Sequence, residues 1–177
     1  EDVRDRRGVA AGTHDAALEF SANIGELQLK GIDLVKFDAA GKISAWHNHF
    51  VTFGLRNTER PSSGAALSPD ELPARFIPHY RLEQTVLSTI VPTGPMRAPG
   101  SNGLAFVMQS FIDELAHAAG RDPVEFRLDL LGADRVVPPG AGQRGASYDT
   151  GRMKAVIRLA AENSDWGTPL PKGEGRG

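Results

Sequence analysis

Cysteine is absent from the 177-residue chain. The chain itself therefore cannot form a disulfide, a thiolate metal site or an iron–sulfur cluster. The chain also lacks a large excess of acidic or basic residues, because its formal net charge is only -2. No electrostatic excess favours nucleic acid or an anionic membrane as a partner. No apolar run is long enough to span a bilayer. These absences exclude several classes of site and leave the cellular compartment open.

The two ends of the sequence do not resemble natural termini. The chain opens on Glu1-Asp2-Val3 without an initiator methionine, and residues 172–177 are rich in glycine. Its length is enough for one domain or for a substantial part of one. We therefore expect an internal piece of a larger cofactor-dependent enzyme.

The first half of the chain carries extended patterns. Residues 25–54 contain two β-rich runs around the turn sequence 38–42, which predicts a hairpin. A polar stretch with several prolines follows over residues 55–76 and predicts a loop, and residues 80–91 have the pattern of another strand. Residues 1–24 show no clean period.

The second half is helical. Apolar residues spaced by three and four predict a helix from Ser101 that stops at Gly120. Asp122 is an acidic N-cap with Pro123 at the first helical position, so a second helix follows and ends at Gly132. A Gly/Pro loop then precedes a third helix over residues 149–163. Mixed strands followed by three helices predict the α+β class.

The connection between the last strand and the long helix is the most distinctive segment. Residues 91–102 combine two glycines, three prolines and Arg97. A strand-to-helix turn directs backbone N–H groups and the positive helix end at one spot, where an arginine adds fork-shaped donors. The segment therefore suits an anionic ligand. The alternative is a tight connector whose arginine pairs with a carboxylate elsewhere.

The other polar residues give weaker signals. His47 and His49 alternate on a strand at a spacing that metal ligands use, but a solvated strand face is the more ordinary explanation. His117 lies near a helix C-terminus, where a capping or surface role is the default. Asp113 and Glu114 are adjacent on a helix and point apart, which favours a polar face over a catalytic pair. No catalytic residue and no metal ligand is assigned from these patterns.

Two long runs carry a family resemblance. Residues 94–102 (GPMRAPGSN) and 109–127 (QSFIDELAHAAGRDPVEFR) closely resemble the molybdopterin-binding large subunit of the xanthine dehydrogenase family. Within it the chain is most similar to the isoquinoline 1-oxidoreductase beta-subunit branch of bacterial aldehyde oxidases, to which residues 37–46 are also similar. The resemblance identifies residues 32–177 as part of a larger molybdenum-cofactor-binding domain, whereas residues 1–31 match poorly.

The resemblance implies a molybdenum–molybdopterin cofactor in its cytosine dinucleotide form. It also implies a small-molecule substrate, an aldehyde or an N-heterocycle, that is oxidised with water as the oxygen source. The catalytic base of the family, a glutamate in a Gly-rich motif, is not in this chain, and the iron–sulfur clusters are carried by a partner small subunit. The resemblance places five residues against the cofactor: Gly94, Met96, Arg97, Ala98 and Gly100.

Two other hypotheses stay open. One is a non-catalytic binding or assembly module that keeps the helices and has lost the chemistry. The other is a simple metal-binding module that uses His47 and His49. The first predicts that the chain retains neither molybdenum nor pterin, and the second predicts affinity for zinc or nickel.

Overall fold

The computed structural model of the chain describes residues 6–8, 15–24, 27–54, 60–61, 66–90, 97, 101–143 and 145–174. Side chains are described from residue 33 onward within these ranges, except at 101–103. A mixed β-sheet precedes three helices, which confirms the predicted α+β class. The main elements are β1 (Arg6–Gly8), β2 (Asp15–Ile24), β3 (Leu27–Phe37), β4 (Ile43–Gly54), β5 (His79–Ser88), α1 (Ser101–Ala118) and α2 (Pro123–Leu131). After them come β6 (Val136–Val137), β7 (Tyr148–Asp149) and α3 (Thr150–Asn163).

The five strands β1 to β5 form one sheet in the order β1-β2-β3-β4-β5. Neighbours are antiparallel from β1 to β4, whereas β4 and β5 run parallel. A parallel pair needs a crossover connection, and the long segment between Gly54 and His79 provides it. The interpretation that residues 1–24 lack a regular period was wrong, because β1 and β2 lie there.

The predicted hairpin is confirmed. β3 and β4 pair antiparallel from Phe37↔Ile43 to Leu34↔His47. At the turn, Asp38 Oδ1 accepts the backbone N–H of both Ala40 and Lys42 at 2.9 Å. Gly41 has φ +73°, a conformation that favours glycine. Local side-chain chemistry and one glycine therefore fix this connection.

Helix α1 covers one face of the sheet. Trp46 of β4 is 1% exposed and lies edge-on to Phe111 of α1, with 5.0 Å between ring centroids. Tyr80 of β5 approaches the same indole at 6.3 Å. Burial of these large rings supplies much of the folding free energy of this unit. The rest of the core consists of Val35, Ile43, Leu67, Ile77, Met108, Ile112, Leu115, Ala116 and Phe126.

The direction of α1 follows from a contact in its middle and another just beyond its last residue. The Arg121 side chain, just beyond the end of α1, lies beside Gly41 of the β3–β4 turn. Phe111 lies over Trp46, which is paired with Tyr80 near the start of β5. From Phe111 onward α1 therefore runs towards the hairpin, antiparallel to β4 and β5, so its first residue points towards the carboxyl ends of these strands.

Helix α2 has the predicted caps and is tied to α1. Asp122 Oδ1 accepts the N–H groups of Val124 and Glu125 at 2.9 and 3.0 Å. Gly132, with φ +69°, forms the C-cap. Arg127 donates to the Gln109 carbonyl at 2.9 Å and so links the two helices. The predicted boundaries of α2 are confirmed because capping and periodicity agree there.

The segment before α3 is held by a largely buried arginine. Arg75 pairs with Asp70 at 2.6 Å, donates to the Ala146 carbonyl at 2.9 Å and lies 4.2 Å from the ring centroid of Tyr148. The predicted Gly/Pro loop over residues 133–147 contains the short β6, which pairs with β7.

No helix in the described part of the chain is long and apolar enough to cross a membrane.

Candidate functional site

The carboxyl ends of the two parallel strands define one edge of the sheet. β4 ends at Gly54 and β5 at Ser88, and these two residues are paired in the register. The Thr89 N–H donates to the Gly54 carbonyl at 3.3 Å and extends the pairing by one bond. Ligands of sheets with parallel strands bind beyond the carboxyl ends of those strands, beside the start of a following helix. We call this region the carboxyl edge.

The segment with the predicted ligand turn joins the carboxyl edge to α1. Helix α1 begins at Ser101, and the first N–H groups of a helix have no partner within it. Arg97 lies in a bend four residues before Ser101 and is exposed. Gly94, Met96, Ala98 and Gly100 lie outside the described residues. Cofactor contact by these five residues therefore stays a prediction.

Three polar residues are buried on the sheet face that carries Trp46, on the side of the carboxyl edge. Asp33 is 9% exposed, and Asn48 and Thr52 are each 4% exposed. Asn48 Nδ2 donates to Asp33 Oδ2 at 3.3 Å. We call these three residues the polar half of the sheet face, and Val35, Ile43 and Trp46 its apolar half. Buried polar groups cost free energy unless they are hydrogen-bonded, so a buried polar patch at this place needs an explanation.

The electrostatics of the polar half centre on Asp33. Burial raises the pKa of this carboxyl to about 6, and this effect outweighs the nearby Trp46 indole, the His49 N–H and the His47 ring, all of which lower the pKa. Burial, together with the charge of Asp33, raises the pKa of Tyr80 to about 12. Asp33 is therefore an acid whose charge depends on pH near neutrality.

The histidines of β4 contact polar residues of β5. His47 Nε2 lies 3.0 Å from Glu83 Oε2, and His49 Nε2 lies 2.8 Å from Thr85 Oγ1. His47 and Arg81 hold the pKa of the Glu83 carboxyl below its usual value. Both histidines share one face, as their spacing predicts. Among the described residues, however, no group of three His, Cys, Asp or Glu could hold a metal ion, so this face does not support the histidine metal module.

Asp113 of α1 has a structural partner, whereas His117 faces solvent. Asp113 accepts from Arg127 Nη1 at 2.6 Å, which makes it part of the α1–α2 contact. Glu114, next to it, is half-buried, and His117 is exposed in the last turn of the helix. The interpretation of Asp113 as a polar-face residue rather than a catalytic carboxylate therefore agrees with its ion pair.

Sequence reasoning missed the polar half. Asp33 stands inside the apolar run Ile32-Asp33-Leu34-Val35, where strand alternation puts Asp33 and Val35 on the same face. Leu34 is the residue that faces the other way, and it is 46% exposed. The alternation alone thus carried a signal, since an aspartate shares a face with a core valine.

Comparison with known proteins gives the family. Residues 35–130, just over half of the chain, match the molybdopterin cofactor-binding domain. The chain belongs to this family. The predicted membership in the xanthine dehydrogenase family, through its molybdopterin-binding part, is thereby confirmed. The matched range contains the polar half from Asn48 onward, the turn with Arg97, and α1.

Two curated relatives are dehydrogenases. The membrane-bound aldehyde dehydrogenase (pyrroloquinoline-quinone) of Gluconacetobacter polyoxogenes is 35% identical over 81 residues, which are 45% of this chain and 10% of that protein. A subunit of the nicotinate dehydrogenase of Pseudomonas putida is 39% identical over 59 residues, which are 33% of this chain and 5% of that protein. The chain therefore matches a tenth or less of each relative. Both names support an oxidoreductase family, and the second relative is named as one subunit of its enzyme.

Proposed function

We propose that the chain forms one wall of the molybdenum-cofactor site in the large subunit of a molybdenum hydroxylase. The supporting observation is the position of Arg97, in the connection between the carboxyl edge of the β4–β5 pair and the start of α1. Residues 32–177 form part of the cofactor-binding domain in this proposal. β1, β2 and the start of β3 extend its sheet from the poorly matched residues 1–31.

The residue types of this turn fit an anionic group such as the phosphates and dithiolene of a molybdopterin. Arg97 is exposed and offers several N–H donors. The start of α1 adds unpaired backbone N–H groups and the positive end of the helix dipole. Gly94 and Gly100 permit close approach of the backbone, while Met96 and Ala98 flank the arginine. In this proposal the five residues hold and orient the cofactor through charge and backbone contact.

The bound cofactor supplies a metal centre for oxidising a substrate carbon with oxygen from water. The substrate is an aldehyde or an N-heterocycle in this proposal. The name of the first relative includes aldehyde, and that of the second includes nicotinate, which is an N-heterocycle. The catalytic base lies outside this chain in this proposal. Asp113 is paired with Arg127, and Asp33 is buried in the sheet, so neither is free to accept a substrate proton. This chain's own contribution is to bind and to position.

Electron transfer requires a second protein in this proposal. The chain has no cysteine, and iron–sulfur clusters are held by cysteine thiolates. In this proposal an iron–sulfur small subunit accepts the electrons, and the cofactor has the cytosine dinucleotide form. The name of the nicotinate relative, which is a subunit, supports an assembly of this kind.

The test compares arginine variants in the full-length polypeptide that carries this chain, produced with its iron–sulfur partner in a host that makes molybdopterin. Arg97→Ala removes the proposed anion contact, so we expect retained cofactor to fall by about tenfold or more. Arg97→Lys keeps the charge without the fork and should be intermediate. Molybdenum by mass spectrometry and released pterin by fluorescence give the occupancy. Arg158→Ala, an exposed change on α3, is the control.

Full occupancy in Arg97→Ala would reject the role of this arginine. The second candidate function is a non-catalytic assembly module, in which α1 and its ion pair to α2 through Asp113 serve the fold alone. It predicts that the unchanged protein folds, binds its partner and yet retains neither molybdenum nor pterin. Loss of cofactor in Arg97→Ala but not in Arg158→Ala supports the first proposal and rejects the second.

A further inference from the structure

Asp33 and Asn48 share one hydrogen bond and leave two buried acceptors without one. Asn48 Nδ2 donates to Asp33 Oδ2 at 3.3 Å. Asp33 Oδ1 and Asn48 Oδ1 are both shielded from solvent and make no hydrogen bond of normal length and angle. Two carbonyl-type oxygens on paired side chains cannot bond each other unless one of them carries a proton. An unsatisfied buried acceptor is costly, so two in one pair are a substantial penalty.

A single proton removes both defects. A neutral carboxylic acid has one O–H donor in addition to its acceptor oxygen, and a primary amide offers a donor and an acceptor side by side. We propose that Asp33 binds a proton in the folded chain and donates it to Asn48, so that the two side chains form a two-point acid–amide pair. When the proton is lost, the second bond breaks and a buried carboxylate remains. The pair is thus a proton-dependent lock between β3 and β4.

Polar and titratable neighbours reach Asp33 from β4 and β5. On β4, Trp46 Nε1 lies near the carboxylate but makes no hydrogen bond of normal geometry, while the backbone N–H of His49 favours the charged form. His47 is the cationic group that acts on Asp33 from the same strand. Tyr80 is the titratable neighbour on β5. Burial outweighs all of these influences, so the neutral acid is the favoured form in mildly acidic solution.

Among the residues whose side chains are described, the other elements add no ionisable group against Asp33. Lys30 and Lys36 are each three positions from Asp33 along β3, which are positions of the opposite face of that strand. The core residues of α1 are apolar, as are the residues of β2 that stand opposite Asp33 and its alternate neighbours in the register. They are Met108, Phe111, Ile112 and Leu115 on α1, with Ala16, Leu18 and Phe20 at the facing register positions of β2.

Protonation of Asp33 stabilises the folded chain, so the direction in which stability changes with pH can be stated. The pKa of Asp33 is about 6 in the folded chain, above its ordinary value of 3.8. A raised folded-state pKa stabilises the fold fully below the ordinary value, and this contribution disappears as pH rises through the folded-state value. The chain should therefore be more resistant to unfolding at about pH 5 than at about pH 7, as far as Asp33 is concerned. A rise of this size corresponds to a change of up to about 100-fold in the unfolding equilibrium constant.

The test measures denaturant unfolding of the chain and of Asp33→Asn across this pH range. The asparagine supplies its own permanent donor, so the variant should lose the pH dependence that belongs to residue 33. We expect the ratio of the two unfolding constants, unchanged chain over variant, to rise by about tenfold between about pH 5 and about pH 7. Glu162→Gln removes an exposed carboxylate and should leave the profile of the unchanged chain intact.

Infrared difference spectroscopy of the unchanged chain with 13C-carboxyl aspartate tests the same point without a variant. A protonated carboxyl band at about pH 5 that disappears at about pH 7 supports the lock. Its absence at about pH 5 overturns the proposal, because Asp33 would then be ionised despite its burial. A constant ratio of unfolding constants across the range overturns it equally.

Discussion

The two halves of the sheet face beneath α1 are both buried and chemically opposite. The apolar half surrounds Trp46, whose ring contacts Phe111 and Tyr80. The polar half contains Asp33 and Asn48 and lies nearer the carboxyl edge. Both halves belong to the same face of β3 and β4, so the difference is in the sheet residues themselves. The apolar half stabilises the fold, while the polar half lies towards the edge at which we propose that the cofactor binds.

The two halves of the sheet face differ in what they contribute to the protein. Dense apolar packing fixes α1 against β4, and with it the position of the helix start. Buried acceptors without a hydrogen bond, such as Asp33 Oδ1 and Asn48 Oδ1, do not stabilise a fold, so their presence indicates a role other than packing. The following substitutions test this contrast, beginning with the largest expected effect.

Trp46→Ala should be the most damaging change. The side chain is 1% exposed and makes two edge-on ring contacts, so its removal leaves a large cavity in the apolar half. We expect a loss of about 4 kcal/mol in the free energy of unfolding. Denaturant titration followed by circular dichroism measures it.

Trp166→Ala is the matched control for this change. Trp166 is 52% exposed, and its indole N–H donates to Asp122 Oδ2 at 2.8 Å. Loss of one exposed contact should cost about 1 kcal/mol. Equal losses at the two tryptophans would show that the apolar half is not the centre of the core.

Asn48→Leu replaces a polar side chain of the polar half with an apolar one. The new side chain adds apolar surface but removes the Nδ2 donor that bonds Asp33 Oδ2. At about neutral pH we expect a loss of about 2 kcal/mol, because a buried carboxylate then lacks that bond. Asn163→Leu, an exposed position on α3, should change the free energy of unfolding by less than about 0.5 kcal/mol. A gain in stability for Asn48→Leu would mean that the two halves behave alike.

Asp122→Ala measures how much an exposed polar contact outside both halves contributes to the free energy of unfolding. Its carboxylate caps α2 through two backbone N–H groups, and alanine cannot replace them. The expected loss is about 1 kcal/mol, measured by thermal or denaturant unfolding. Asp122→Asn should retain most of the stability, since asparagine caps helices about as well. A cost above that of Trp46→Ala would contradict the ranking.

Much of the fold could be predicted from the sequence because several local signals agreed. Helix α2 has an Asp–Pro start, a helical apolar period and a glycine stop, and its predicted bounds are confirmed. β2 was missed, although Leu18, Phe20, Ala22 and Ile24 alternate with more polar residues. The neighbouring arginine- and glycine-rich residues obscured that period.

Other features are not local and could not be predicted from patterns. The parallel pairing of β4 with β5 depends on which strand the crossover returns to, and no turn sequence specifies it. The partnership of Asp33 and Asn48 likewise arises from the register of two strands, between residues fifteen positions apart. The ligand turn was proposed from its glycines and arginine, and the family resemblance gave it a cofactor; the contact itself stays a prediction.

The most direct measurement is an experimental structure of the full-length protein with its cofactor bound. The central claim is that the turn from β5 to α1 binds the molybdopterin. We expect the Arg97 guanidinium within hydrogen-bonding distance of an anionic or electronegative atom of the cofactor, at the carboxyl edge of β4 and β5. A cofactor bound on another face of the sheet, with this guanidinium directed into solvent, would contradict the claim.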